Sequence, residues 1–520
     1  MGGFLFLLLV LLLSSCAALG IGWVLILLND YWWRPKKLER WLKQQGIVGP
    51  PYKFLTGNLK ENFEMLKEAR SKPMKLSHRI VPRVFPFIHQ TVKHYGKTSV
   101  TWFGRNPRVT IMEPDLVREV LSNKFGHFQK PRGNALLKQL VPGLADHEGE
   151  KWAKHRRIIN PAFHVEKLKR MLPSFASSCS DLMERWETLV AEGPTEVDVW
   201  PEMQRLTGDV ISRTAFGSNY KEGNRIFQLQ TELSELIVES IRSPQLPGVR
   251  YLPTKINRRN WEIDREVRAI LTNLIKKREQ KIKMGEANDD LLGLLMESNT
   301  REHSELAQRG TRGLTEGEVI EECKLFYFAG QETTSVLLTW TMVVLGMHPD
   351  WQTKGRDEVL QTFGKNKPDF DGLSHLKIVT MILYEVLRLY PPGVNIVRTP
   401  VKKIQVGSHW FIPGVHLSFP VLLIHHDREL WGEDVEEFKP ERFAEGISKA
   451  SKNQSAAFFP FGWGPRICVG QNFALIEAKL GLSMILQRFS FELAPTYAHA
   501  PCTAITLQPQ HGAQLILQRL

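Results

Sequence analysis

Residues 461–470 near the C-terminus (FGWGPRICVG) place Cys468 in a glycine-rich loop, two residues after Arg466 and directly before a predicted helix. A thiolate keeps its charge only where it is stabilised, and the N–H groups of a turn and the positive end of a helix can do this. Gly464 and Gly470 allow the backbone to approach a flat group that a Cβ would meet. The loop therefore indicates a thiolate that ligates iron, and a structural cysteine in a turn is the alternative.

A long predicted helix covers residues 315–345, and its part 325–345 is mostly apolar but is interrupted by the polar run 328–335 (FAGQETTS). Gly330 costs about 1 kcal/mol of helix propensity relative to alanine. The hydroxyl groups of Thr333 and Thr334 can also compete for the backbone hydrogen bonds of the helix. The pattern predicts a locally weakened helix with room for small polar molecules, and a kinked core helix without chemistry is the alternative.

Two shorter patterns place charged side chains one helical turn apart. Glu385 and Arg388 share a helical face within an apolar stretch, which predicts a buried ion pair, although Glu-x-x-Arg alone usually marks a solvated surface pair. Trp152 and Arg156 place an indole N–H and a guanidinium where they can grip one carboxylate together. Plain surface residues are the alternative for this second pattern.

Taken in order, these segments resemble the cytochrome P-450 superfamily. The cysteine loop matches the haem-binding signature Phe-x-x-Gly-x-Arg-x-Cys-x-Gly at every fixed position, and residues 329–334 resemble the oxygen-activation motif. Residues 440–443 match the family's Pro-Glu-Arg-Phe segment. The strings at 152–164 and 493–501 look like the plant family seventy-two, whose members oxidise terpenoids.

The resemblance implies haem b, iron protoporphyrin IX, with Cys468 as its axial thiolate ligand. It implies proton delivery to dioxygen by Thr333 and Glu332, and electrons from NADPH through a flavoprotein reductase. Glu385, Arg388 and Arg442 are expected to brace the cysteine pocket without a chemical role. The other expected haem contacts are Trp152, Arg156, Arg398, Phe461, Arg466 and Gly470.

The fold implied is mainly α with a smaller β region, in a single catalytic domain. Residues 99–103 and 108–112 predict a hairpin, and short β-branched runs return after residue 392. Residues 504–507 and 513–517 predict a terminal hairpin around the turn 509–512. No linker divides the chain after residue 51, so one large unit is the simpler interpretation.

Residues 1–29 carry no charged side chain, and residues 4–28 would span about 37 Å as a helix. We expect a retained transmembrane anchor over 1–29, a basic, proline-containing linker over 30–51 and the catalytic domain over 52–520. A cleaved signal peptide is the alternative, because small residues follow the first apolar run. Basic residues after the anchor favour a single pass through the endoplasmic reticulum membrane with the catalytic domain in the cytosol.

The net charge of +13 is spread along the chain without a nucleic-acid motif, which favours a membrane surface or an acidic protein partner over nucleic acid. Lys154, His155, Arg157 and Lys479 are candidates for a basic docking face for the reductase. The five cysteines show no CxxC spacing, so neither a disulfide framework nor a zinc site is indicated, as expected in a reducing environment.

The expected activity is insertion of one oxygen atom from dioxygen into a C–H bond of a small lipophilic plant metabolite. A triterpenoid or steroidal sapogenin skeleton is the first expectation, and a gibberellin or a secoiridoid is the alternative. A haem-thiolate isomerase or dehydratase typically lacks the acid and the threonine found at Glu332 and Thr333. A haem protein without catalysis needs no such relay and remains the other alternative.

Overall fold

A computed structural model describes residues 2–131, 135–218, 220–241, 252–285, 290–300, 313–452 and 455–520. The α-helices are α1 (Gly2–Leu28), α2 (Arg34–Gln44), α3 (Leu59–Ser71), α4 (Val81–Val84), α5 (Pro86–Tyr95), α6 (Pro114–Leu121), α7 (Ala135–Leu140), α8 (Gly149–Ile159), α9 (Val165–Leu189), α10 (Val199–Phe216), α11 (Tyr220–Ile241), α12 (Lys255–Lys283), α13 (Leu291–Thr300), α14 (Glu316–Met347), α15 (Pro349–Phe363), α16 (Phe370–His375), α17 (Ile378–Leu389), α18 (Val421–His425), α19 (Arg428–Trp431) and α20 (Gln471–Arg488). The strands are β1 (Ser99–Phe103), β2 (Asn106–Thr110), β3 (Phe128–Gln129), β4 (Thr195–Asp198), β5 (Ile396–Pro400), β6 (Ile404–Val406), β7 (His409–Phe411), β8 (His416–Phe419), β9 (Phe489–Leu493), β10 (Pro501–Thr503), β11 (Leu507–Pro509) and β12 (Gln514–Arg519).

The long helix α14 is the centre of the helical body, and α10, α17 and α20 pack around it. Its start is fixed by a capping box, in which the Thr315 hydroxyl accepts from the Glu318 N–H and the Glu318 side chain accepts from the Thr315 N–H. A Cβ at Gly330 would lie 2.6 Å from the Ile211 side chain. This glycine therefore allows α10 to approach α14 closely, a packing reason that its effect on helix propensity did not reveal.

A five-stranded sheet with the order β1-β2-β8-β5-β3 lies at one edge of the body. The predicted hairpin at its edge is confirmed, although its second strand is Asn106–Thr110 rather than 108–112. The β-branched runs predicted after residue 392 include a second hairpin, in which β6 pairs with β7. Strand β5 carries Arg398, whose charge acts on Arg466 of the cysteine loop.

The predicted terminal hairpin is wrong. Residues 501–503 pair with 507–509, so the turn falls at 504–506. Strand β12 instead pairs with β4 and β9 and lies between them. Leu515 and Leu517 lie on one face of β12 and are fully buried. Side-chain contacts with the strands on both sides stabilise a strand that buries a face in this way more than a local turn does.

The N-terminal helix α1 has no buried residue, and the helical stretch Gly2–Gln44 contains an 18-residue window with a mean hydropathy of 2.7. A π-helical turn, Asn29–Trp33, joins α1 to α2 without a break in the helix. Leu42 of α2 is fully buried in the core. The Tyr52 hydroxyl also donates to the Tyr31 carbonyl at 2.5 Å, so the segment expected as a linker packs against the body.

Two truncations distinguish the roles of α1 and α2. Deleting residues 2–28 should move the protein towards the soluble fraction without lowering its thermal unfolding midpoint, because this helix buries nothing. Deleting residues 2–45 should lower the midpoint by several degrees, since a buried leucine contributes about 1.5–3 kcal/mol. Equal midpoints for the two truncations would contradict the packing of α2, and membrane fractionation with thermal unfolding measures both effects.

Candidate functional site

The cysteine loop is held by its own backbone and by the end of α6. The Cys468 N–H donates to the Phe461 carbonyl at 2.9 Å, directly before α20 begins. Gly464 has a φ of +70°, and a Cβ there would lie 2.3 Å from the Leu121 carbonyl oxygen. Gly464 therefore lets the loop pass over α6. At Gly470 a Cβ would meet no atom closer than 3.8 Å, so no protein contact demands this glycine.

Cys468 is exposed to solvent as a residue, but many protein atoms surround its sulfur and partly bury it. This burial raises the pKa of the thiol, whereas the Gly470 backbone N–H and the charge of Arg156 lower it. The two opposing contributions act on the same sulfur atom. A cation bound to the sulfur would favour the thiolate further.

Four cations lie in the neighbourhood of this cysteine with few carboxylates to match them. Lys130, Arg398 and Arg466 share the nearby acid Glu148, and Lys130 also lies near Asp146. Burial first, and then the charges of Arg466 and Arg398, lower the pKa of Lys130 to about 8. Neither Arg156 nor Arg398 forms an ion pair with an acid among the described residues. The group thus carries unmatched positive charge.

The predicted residues of α8 are brought onto the cysteine loop. The Arg156 guanidinium donates to the Ile467 carbonyl at 2.8 Å. The Arg466 guanidinium lies 4.0 Å from the centre of the Trp152 ring and also forms an ion pair with Glu148. Trp152 and Arg156 therefore reach neighbouring points of the loop, although they do not share one partner within the protein.

The ion pair of α17 is fully buried, as its apolar flanks predict. Both side-chain oxygens of Glu385 accept from Arg388, at 2.6 and 2.8 Å. Arg388 donates its other N–H groups to the carbonyls of His425, Val435 and Glu437. The Nε of Arg442 lies 3.5 Å from a Glu385 oxygen.

The hydroxyl groups of α14 point to different partners. Thr333 donates to the Ala329 carbonyl at 2.8 Å, which leaves its oxygen free to accept a further hydrogen bond. Thr334 faces instead the buried carboxyl of Glu477 on α20, and its hydroxyl lowers the pKa of that carboxyl, which burial raises. Thr333 is thus the hydroxyl that is bonded only within its own helix.

Glu332 is held by the hairpin of β10 and β11. Its carboxylate accepts from Thr506 and Gln508, and it is only 7% exposed. Burial raises the pKa of Glu332, while the hydrogen bonds from Thr506 and Gln508 lower it. The carboxyl also lines a cavity of about 520 Å³ between α10, α11, α14 and the hairpin, which Gln331 and Gln204 border as well. Thr333 and Cys468 do not line this cavity.

Sequence patterns missed a buried pair that joins α8 to α14. His155 and Glu322 are fully buried, and a His155 ring nitrogen lies 2.5 Å from the Glu322 carboxylate. Gly143 has a φ of +58°, and a Cβ there would lie 2.7 Å from that carboxylate. The expectation that His155 belongs to an exposed docking face is therefore wrong, because its ring faces α14. The spacing of three residues between Trp152 and His155 shows only that both side chains lie on the same side of α8. It does not show which partner that side faces.

The chain is similar to known proteins over most of its length. The family model described as Cytochrome P450 matches residues 78–516. The chain is 61% identical over 511 residues to Cytochrome P450 CYP72A616 of Paris polyphylla, with 98% of each chain covered. It is 54% identical over 501 residues to Cytochrome P450 72A15 of Arabidopsis thaliana, with 96% of each chain covered.

A third relative is named 7-deoxyloganic acid hydroxylase, from Catharanthus roseus, and is 52% identical over 509 residues, with 97% of each chain covered. Among solved structures, the retinoic acid-bound cyanobacterial CYP120A1 matches with a TM-score of 0.71 and 24% identity. The match covers 84% of this chain and 94% of that one. At this identity the likeness concerns the fold alone.

The donor set at the cysteine loop fits a haem with a cysteine ligand. Haem carries two propionate groups, and the unmatched charges of Arg156 and Arg398 suit such anions. The indole N–H of Trp152 has no acceptor among the described residues and adds a further donor. Gly470, next to Cys468 and free of protein contacts closer than 3.8 Å, leaves space beside the sulfur.

Replacing Arg388 tests how far the buried pair supports the site. Arg388→Lys should lower the free energy of unfolding by about 3–5 kcal/mol and reduce haem content, because the variant cannot reproduce the guanidinium fork and leaves buried acceptors unmatched. Arg118→Lys, in the exposed pair with Asp115, is the matched control and should change stability by less than about 0.5 kcal/mol. Chemical unfolding with haem quantification measures both variants, and similar losses would contradict this account.

Proposed function

This chain belongs to the cytochrome P450 family and to its plant group 72, and on that premise we propose that it oxidises a terpenoid. It is a haem-thiolate monooxygenase of plant metabolites that receives its electrons from a reductase. The observation that carries the monooxygenase chemistry is the cysteine loop beside an excess of partly buried cations, together with the acid and hydroxyl of α14.

The substrate proposed is a triterpenoid or steroidal sapogenin skeleton, with gibberellin or secoiridoid oxidation as the alternative. The relative named as a 7-deoxyloganic acid hydroxylase supports C–H hydroxylation of a small plant metabolite. The family model supports the chemistry and does not distinguish between skeletons. Only turnover of defined compounds separates these substrates.

Cys468 would ligate the iron, with Phe461 and Gly470 beside it, and Trp152, Arg156, Arg398 and Arg466 would hold the propionates. When bound, haem supplies the metal centre at which dioxygen is activated. The helix dipole of α20 and the Gly470 N–H favour the thiolate form of the cysteine. Lys130, which sequence patterns did not suggest, would add a further charge to the propionate side.

Thr333 and Glu332 would deliver the protons that dioxygen reduction consumes. The Thr333 oxygen can accept a hydrogen bond from water while its own O–H donates to the Ala329 carbonyl. Glu332 can exchange protons with water in the adjacent cavity of about 520 Å³. Its raised pKa brings the carboxyl closer to neutral pH, where it can both release and accept a proton.

The membrane assignment proposed is a single pass through the endoplasmic reticulum, with the body in the cytosol. The apolar helix α1 and the basic residues of α2 support it. An NADPH-dependent reductase in the same membrane would supply the electrons.

Microsomes that contain this chain and a plant reductase should hydroxylate at least one triterpenoid, steroid or diterpenoid acid from a panel, and only when NADPH is present. Turnover without NADPH or dioxygen would indicate an isomerase or dehydratase instead.

Replacing the proposed ligand tests thiolate ligation directly. Cys468→Ser should abolish the carbon monoxide difference band of the reduced protein, because a hydroxyl does not replace the thiolate as a ligand. Cys502→Ser removes a thiol that lies on β10 and should leave the band in place. A normal band in Cys468→Ser would exclude this cysteine as the ligand.

Replacing the α14 hydroxyl separates proton delivery from haem binding. Thr333→Ala should keep the haem content while at least half of the electrons consumed appear as peroxide, since the water that Thr333 positions is lost. Thr341→Ala removes a similar intrahelical hydrogen bond, from Thr341 to the Leu337 carbonyl, and should leave coupling unchanged. NADPH consumption compared with product and peroxide measures coupling, and unchanged coupling in Thr333→Ala would remove the hydroxyl from the mechanism.

The hydrogen bonds to Glu332 predict a pH effect. They lower the pKa of this carboxyl, so Thr506→Val should raise it. Because the protonated form delivers the proton, activity is lost as pH rises through this pKa, and the loss should begin at a higher pH in the variant. Thr496→Val, which removes an exposed hydroxyl bonded to Glu196, is the control. An unshifted profile in Thr506→Val would contradict the assignment of Glu332.

A further inference from the structure

A second cavity, of about 130 Å³, lies against the edge sheet, and no residue of the cysteine loop lines it. Helices α3 and α5 form one side of it, and strands β1, β2 and β8 form the other. Much of its wall is apolar, with Leu66, Phe85, Ile88 and Phe103 among the contributing residues. No aspartate or glutamate lines it, although two arginines do.

Arg108 is the cation that this cavity leaves unmatched. Its Nε is buried and has no hydrogen-bond partner, and no described acid lies within ion-pair distance. The guanidinium carbon lies 4.4 Å from the centre of the Phe103 ring, a contact that stabilises the cation without neutralising its charge. Burial lowers the pKa of Arg108 to about 10, so the group remains protonated at neutral pH. The nearby His416 is held neutral, with its pKa lowered to about 4, and supplies no negative charge.

Other donors face the same cavity. Arg70 donates to the Thr503 carbonyl at 2.5 Å, while its buried Nε has no partner. The Asn395 side-chain oxygen accepts from Ser418 at 3.0 Å, so its amide N–H groups remain available to a ligand. The cavity therefore offers several hydrogen-bond donors and two positive charges within an apolar wall.

We propose that this cavity is an anion subsite that binds a carboxylate on a lipophilic substrate, with Arg108 as its ion-pair partner. A carboxylate is planar and matches the two parallel N–H groups of a guanidinium, which a hydroxyl or a neutral ester cannot do. The small volume suits one end of a larger molecule, and the apolar wall suits a hydrocarbon skeleton next to the charged group. The inference rests on the proposed function and narrows its substrate class to lipophilic carboxylic acids.

The position of the cavity connects it to the candidate active site. Asn395 directly precedes β5, which carries Arg398. Thr503 ends β10, and three residues later Thr506 holds Glu332. A molecule anchored at Arg108 would therefore contact Asn395 and Thr503, which lie on the same two segments as Arg398 and Thr506.

The test compares acids with their methyl esters on the full-length, haem-loaded protein in detergent. The probes are oleanolic acid and 7-deoxyloganic acid, each paired with its methyl ester, and affinity is measured by equilibrium dialysis at pH 7.5. We expect at least one acid to bind about tenfold or more tightly than its ester, because a charge-assisted pair is lost in the ester. Wild-type protein that binds neither acid more tightly than its ester overturns the proposal.

Variants assign this preference to Arg108. Arg108→Gln should weaken binding of the acid about tenfold to a hundredfold and leave ester binding within about twofold. Arg108→Lys should restore part of the acid affinity because it retains the charge, whereas Arg118→Gln on the exposed face of α6 should change neither ligand. Equal weakening of acid and ester in Arg108→Gln would make the residue structural and overturn the proposal.

The same probes keep this inference separate from the proposed function. Turnover of neutral terpenoids without acid preference would leave the function standing and exclude the subsite. Acid preference in the dialysis experiment without turnover of any terpenoid, when NADPH consumption shows that the reductase delivers electrons, would support the subsite and contradict the terpenoid assignment. Dialysis does not require electron transfer, so a failure of the reductase cannot produce a false negative.

Discussion

The buried guanidinium of Arg388 is the interaction on which the cysteine site depends. All of its N–H groups have acceptors, two on Glu385 and three on backbone carbonyls of residues 425–437. A buried charge with an unsatisfied donor costs several kcal/mol. Residues 425–437 are therefore stable only in the conformation that presents these carbonyls to Arg388. One of them belongs to His425, whose ring accepts the Phe459 N–H at 3.2 Å. The hydrogen bonds thus continue from α17 to the residues that open the cysteine loop.

A second set of interactions joins the loop to the helices on its other side. Arg156 of α8 holds the Ile467 carbonyl, and His155 on the same helix is bonded to Glu322 of α14. The helix that approaches the cysteine is therefore fixed to the helix that carries Glu332 and Thr333. The hairpin of β10 and β11 completes this arrangement, because its Thr506 and Gln508 set the position of the Glu332 carboxyl.

The sequence predicted those features that depend on residue type within a short segment. The cysteine loop, the buried pair of α17 and the polar run in α14 are of this kind, since each pattern states its own chemistry. The packing roles of Gly330 and Gly464 were not predictable, because they depend on Ile211 and Leu121 in distant segments. The same holds for the pair of His155 with Glu322, whose partners are 167 residues apart. The terminal hairpin was predicted wrongly for the same reason. The buried face of β12 determines which strands it pairs with, and this can outweigh a turn that lies nearby in the sequence.

The C-terminal strand has a consequence for synthesis of the protein. β12, six residues long, is the middle strand of its sheet, with β4 and β9 on either side. β4 and β9 are both synthesised before β12, so until β12 leaves the ribosome each of them presents an open edge of unpaired N–H and C=O groups. A premature stop codon before β12 would make these two open edges permanent.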